Sequence, residues 1–147
     1  MSKQTKIPTK KKIVIDLERY YTIQNLLGYV SELYLPCKTY AYQDLKYKTT
    51  KLLKNKFLKV IPRGEKYISL KLDFEECVAY YYCCILNGLN IGSCGDDVVH
   101  FMVTVLSLEQ REDLNRQIAY IKQFYDHFKP DISNIQSANQ GQNLLEI

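Results

Sequence analysis

The sequence predicts a mostly α fold of the α+β class, with about five helices and one β-hairpin packed on them. Three observations carry this expectation. Apolar residues recur at three- and four-residue steps through most of the chain, and serine, threonine or aspartate stands where each such run begins. A single Pro-Arg-Gly-Glu stretch at residues 62–65 separates two strand-like segments. At 147 residues the chain has the size of one domain, large enough to bury a core without disulfides or metal. Its composition, 46% hydrophobic and 24% charged, excludes a disordered or low-complexity protein.

Residues 1–12 hold five lysines and no apolar periodicity, the pattern of a flexible basic arm. A single globular domain is expected over residues 13–130 and a polar C-terminal tail over 131–147. Asp16 caps a first helix over residues 17–35, with Ile23, Leu26, Leu27, Val30, Leu33 and Tyr34 on one face and Pro36 as the stop. Thr39 caps a second helix that runs to Asn55 and turns Tyr42, Leu45, Thr49, Leu52 and Leu53 inward. Phe57–Ile61 and Lys66–Leu72 flank the Pro62–Glu65 turn and are expected to pair as a hairpin. In the second of these strands Ile68, Leu70 and Leu72 alternate with Tyr67, Ser69 and Lys71, so one face is buried and one is wet.

Asp73 and Glu76 have capping-box spacing and open a third helix, with Phe74, Cys77, Val78, Tyr81, Cys84 and Ile85 as its apolar stripe and its end near Gly88. The run Val98–Leu108 resembles a buried strand until its polar residues are placed. His100, Thr104, Ser107 and Arg111 follow at steps of four, three and four, which is one face of a buried fourth helix. Ser107 and Gln110 then cap a fifth, carrying Leu114, Ile118, Ile121, Tyr125 and Phe128 up to Pro130.

No apolar run approaches the roughly 20 residues that cross a bilayer, and Ile13–Ile15 is too short for the core of a signal peptide. No membrane partner is expected. Five cysteines, an odd number without a spaced framework, fit a reducing compartment, so the expected location is intracellular (cytoplasmic) or a virion.

Each candidate for chemistry has a simpler explanation. Gly95-Asp96-Asp97 looks like the metal-binding turn of RNA polymerase palms, but a palm needs a further aspartate on a neighbouring strand, and Ser93 and Asp96 have the spacing of a helix cap. Gly88, Gly92 and Gly95 lack the Gly-Lys-Ser/Thr that completes a phosphate loop. Cys37, Cys77, Cys83, Cys84, Cys94 and His100 include no pair at zinc spacing, and Cys77 and Cys84 lie on an apolar stripe, as core cysteines do. A Cys94–His100 dyad would stand in an acidic loop, the wrong setting for a thiolate. Asp73, Glu75 and Glu76 are explained by the helix start they occupy. The expectation is a protein without catalytic residues, without cofactor and without metal.

Charge is the more informative feature. Residues 1–71 hold 16 basic and 5 acidic side chains, net +11, whereas residues 72–147 hold 4 and 11, net −7; the overall +4 is a cancellation. Lys10, Lys11, Lys12, Lys48, Lys51, Lys54, Lys59 and Arg63 are the candidates for a basic surface that would attract phosphate backbones or an acidic protein. Tyr80, Tyr81 and Tyr82 span three directions of one helix, and Tyr80 and Tyr82 are the candidate protein contacts, together with Leu144, Leu145 and Ile147 at the end of the polar tail. The order helix, turn, basic helix, hairpin over residues 17–72 loosely resembles a winged helix-turn-helix, with the hairpin as wing. Lysine in place of Arg, Asn or Gln on the second helix favours backbone contact over base reading.

The function expected from the sequence is therefore a non-catalytic structural or assembly protein that docks into a larger complex, such as a viral or phage particle. The alternative is a nucleic-acid-binding accessory or regulatory protein that uses the lysine-rich face.

Overall fold

A computed structural model of the chain describes residues 10–89 and 92–128, the side chains of residues 92–97 and 128 excepted. Among the described residues the order is β1 (Lys10–Asp16), α1 (Leu17–Glu32), α2 (Tyr40–Lys56), β2 (Tyr67–Asp73), α3 (Phe74–Leu86), α4 (Gly92–Val105) and α5 (Leu108–Phe128). Five helices and one antiparallel two-stranded sheet make up the expected α+β fold.

The expected caps form. Asp16, Thr39 and Asp73 accept from the backbone N–H of Arg19, Tyr42 and Glu76 at the starts of α1, α2 and α3. Glu76 and Gln110 return the bond to Asp73 and Ser107, completing two capping boxes. At the end of α3, Gly88 takes a φ of 68°, which lets the Leu89 N–H reach back 2.9 Å to the Cys84 carbonyl.

The sheet departs from the expectation. Phe57–Ile61 is not a strand; β2 pairs instead with β1, in the register Lys12↔Lys71, Ile13↔Leu70, Val14↔Ser69 and Ile15↔Ile68. The Pro62–Glu65 turn exists, with Glu65 N–H on the Pro62 carbonyl at 3.2 Å and Gly64 at φ 92°, but it sits in an irregular connection. The resemblance to a winged helix thus loses its wing. Lys10–Lys12, expected in the flexible arm, belong to β1: Lys10 and Lys12 take outer positions, while half-buried Lys11 shares the face of buried Ile13 and Ile15. The remainder of the arm, residues 1–9, and the tail over 131–147 lie outside the described residues.

Helix α3 is the centre of the molecule and contacts all six other elements. Nine of its thirteen residues are buried, Tyr80 and Tyr82 among them. This corrects their expected role as protein contacts. Tyr80 faces α1, where its hydroxyl accepts from the Nε of buried Arg19 at 2.9 Å, while the Arg19 Nη2 reaches the Cys84 sulfur at 3.7 Å. A buried guanidinium is tolerable only with such partners. Tyr125 of α5 donates 2.5 Å to the Asn87 side chain, whose amide bonds the Cys83 carbonyl at 2.8 Å, fixing α5 to the end of α3.

Two further boundaries shift. α1 stops at Glu32, so Tyr34 leaves the inner face on which helical spacing would put it. α4 starts at Gly92, ahead of the expected cap at Ser93, so Gly95, Asp96 and Asp97 fall within the helix; the side chains of Cys94, Asp96 and Asp97 lie outside the described residues. Between α1 and α2, the Tyr42 hydroxyl donates to the Leu33 carbonyl at 2.7 Å and accepts from the Leu35 N–H at 3.1 Å, tying down the connection.

The core carries groups that resist ionisation. Burial pushes the Cys77 thiol up to about 12, with Asp73 and Glu76 adding to the effect. Burial also raises Cys83, Tyr82 and Tyr125 above their usual values. All four stay neutral in the folded chain and ionise at ordinary values when it unfolds, so their contribution to stability is complete below about pH 9 and is lost as pH rises beyond it. The urea midpoint is expected to fall steadily from about pH 9 to 11; an unchanged midpoint over that range would show that these groups meet solvent in the folded state.

Candidate docking surface

The exposed face of α2 and the connection that leaves its C-terminus carry residues that ordinarily seek cover. Tyr40 and Tyr47 are seven residues apart, on one side of the helix, and are 83% and 65% exposed. Lys54 follows at the same spacing and is exposed. Tyr34, in the connection before α2, is 85% exposed, with the Lys46 ammonium 3.4 Å from its ring centroid.

Beyond α2, Leu58 is 58% and Val60 is 94% exposed. Their exposure is imposed by how the connection is anchored. Phe57 is fully buried and stacks on Tyr20 at 5.0 Å. The Phe57 carbonyl accepts from Gln24 at 2.5 Å, the Lys59 N–H donates to the Tyr20 hydroxyl at 3.1 Å, and the Leu17 N–H closes the far end on the Lys66 carbonyl at 3.0 Å. With Phe57 held inward and Lys59 bonded through its backbone, Leu58 and Val60 point outward on a fixed backbone. Lys59, Arg63 and Lys66 are exposed around them. The outer side of the adjacent ribbon adds Lys12 and Lys71, directly opposite one another, a like-charge pairing that an anionic neighbour would relieve.

Part of the expected basic surface is neutralised, by Asp44 within α2 and by the acidic half of the chain. Lys48 pairs with Asp44 at 2.7 Å, and Lys51 pairs with Glu75 at 3.1 Å and Asp73 at 3.7 Å. The hydrogen bond that Lys51 donates to Glu75, more than the charge of Asp73, raises the Lys51 pKa. Lys56 lies 3.7 Å from buried Glu76 and also donates to the Lys71 carbonyl. Among the sequence candidates Lys54, Lys59 and Arg63 are brought to one end of α2 and carry no ion pair among the described residues. Lys10 stands opposite Asp73 at the far end of the ribbon, and Lys11 is half-buried. Leu144, Leu145 and Ile147 lie outside the described residues.

Tyr34, Tyr40, Tyr47, Leu58 and Val60 are the residues that sequence reasoning missed. A signal for the last two was present: as a strand, Phe57–Ile61 would put Lys59 on the same face as Phe57 and Ile61 and leave Leu58 and Val60 on the other, so neither face alternates cleanly. Among the described residues no group of three or more His, Cys, Asp or Glu side chains could hold a metal ion, and no helix is long and apolar enough to cross a membrane. No family model, curated protein or solved structure matches this chain.

Proposed function

We propose that the protein is a non-catalytic structural or assembly component that docks into a larger complex through α2 and the 57–66 connection. The observation that carries this reading is the outward presentation of Leu58 and Val60 by a backbone anchored at both ends. Exposed aliphatic side chains held in a fixed position favour an apolar recess on a protein, and exposed tyrosines supply amphipathic contact area with little entropy to lose. The surrounding cations call for an acidic rim on that partner. A viral or phage particle is one assembly of this kind.

A nucleic-acid reading is supported by Tyr40, Tyr47 and Lys54 on one helix face, since bases stack on exposed rings beside cations. It leaves Leu58 and Val60 without a role and has fewer free lysines than the sequence offers.

The test separates the two. In extracts of cells that make it, the wild-type chain is expected to migrate well above its 17.3 kDa, and the Leu58→Asp, Val60→Asp double variant as a folded monomer. A wild-type chain that is monomeric in the extract would overturn the docking reading. So would low-salt binding of generic duplex DNA or RNA that is lost in Lys54→Glu, Lys59→Glu while the double variant keeps its native size.

A further inference from the structure

The docking surface calls for an apolar recess with an acidic rim, and the chain itself carries one. A cleft of about 240 Å³ opens between α3, α4 and α5. It forms where α4 ends at Val105 and the Ser107–Gln110 capping box starts α5 in a new direction. Val99, Met102, Val103, Leu108 and Leu114 supply its apolar walls. Val103 and Leu108 are also exposed, so apolar surface continues from the cleft to its mouth. Two of its polar residues satisfy each other, the Tyr81 hydroxyl donating to the Asn115 side chain at 2.8 Å.

Glu112 lines the cleft, and Glu109 stands one turn before it on α5. Both are exposed, and neither makes an ion pair among the described residues. Asp113 is engaged by Arg116 at 3.4 Å and by Gln117 at 2.7 Å. Arg111 also lines the cleft, half-buried, but Glu109, Glu112 and Asp113 outnumber Arg111 and Arg116 on these turns. The match to the docking surface extends to size. The side chains of Leu58 and Val60 amount to about seven water-sized groups, or about 210 Å³ at about 30 Å³ each. Around them Lys54, Lys59, Arg63 and Lys66 are exposed cations, opposite in sign to Glu109 and Glu112.

We propose that the partner of the docking surface is a second copy of this chain: Leu58 and Val60 of one copy seat in the α3–α4–α5 cleft of the next, with Lys59 and Arg63 facing Glu109 and Glu112. This rests on the docking reading and names its occupant. The contact joins two different faces, so it runs head-to-tail, and its repetition closes a ring or extends a filament. Ala119 is about 16 Å beyond Leu108 along α5, at about 1.5 Å per residue, and lies outside the contact.

The purified chain is followed by sedimentation velocity across concentration and salt. Wild type is expected to sediment above its 17.3 kDa and to return to the monomer on dilution. Leu58→Asp, Val60→Asp removes the projection, and Val103→Asp, Leu108→Asp removes the recess. All four positions are exposed, so each double variant is expected to fold and, alone, to be monomeric. Mixed in equal amounts the two are expected to form a one-to-one dimer and nothing larger, because one intact projection meets one intact cleft. Glu109→Lys, Glu112→Lys should weaken wild-type association about tenfold at low salt and much less at high salt, with circular dichroism unchanged. An oligomer that persists in either double variant alone, a mixture that remains monomeric, or a pure wild-type chain that is monomeric at every concentration would each overturn the proposal. A chain that is monomeric when pure yet large in cell extracts overturns this proposal alone, since the docking surface then has a different protein as its occupant; a chain that is monomeric in both removes the docking reading with it.

Discussion

Ile13→Ala with Ile15→Ala is expected to leave most of the chain unfolded at room temperature. Both side chains are buried, and they stand opposite Leu70 and Ile68 in the ribbon. Truncating a buried isoleucine costs about 2–5 kcal/mol, and domains of this size are stable by only about 5–15 kcal/mol. The loss is amplified by position: β1 is the only strand paired with β2 among the described residues, and α4 packs on it. Far-UV circular dichroism against urea gives the answer. A midpoint equal to that of the wild type would mean that Ile13 and Ile15 of β1 contribute nothing to the core.

Phe57→Ala is expected to cost about 3–5 kcal/mol and to release the connection that carries the docking surface. The ring is fully buried and stacked on Tyr20, and its loss would also loosen the Gln24 bond to the Phe57 carbonyl and the Lys59 bond to the Tyr20 hydroxyl. Two readouts should therefore move together. The urea midpoint falls, and amide exchange at Leu58, Lys59 and Val60 accelerates more than exchange in α5. A variant that loses stability while exchange at these three amides slows or stays constant would show that the connection is ordered by something other than Phe57.

Features set by neighbours three or four residues apart were legible in the sequence. The caps at Asp16, Thr39, Asp73 and Ser107 form where their spacing places them, and the alternation of Ile68, Leu70 and Leu72 is that of a real strand. What failed was long-range. The partner of β2 lies more than fifty residues upstream, and the local turn at Pro62–Gly64 offered a nearer one that the chain does not use. Tyr80 and Tyr82 failed for a related reason: a helix face counts as outer only if nothing covers it, and α3 is covered on nearly every side. Its almost uninterrupted apolar composition, Cys77 to Leu86, is the mark of a helix buried all round. The charge split was legible as a sum, but which lysines remain unpaired depended on Asp73, Glu75 and Glu76 folding against α2.

The docking surface is tested most directly by a photo-crosslinking residue placed at position 60 and, separately, at exposed Ala119 on α5, in cells that make the protein. Crosslinking from position 60 to one discrete protein is expected, lost when Tyr47→Glu is introduced on the neighbouring helix face, with none from position 119. Equal crosslinking from both positions, or crosslinking from position 60 to nucleic acid alone, would contradict the account.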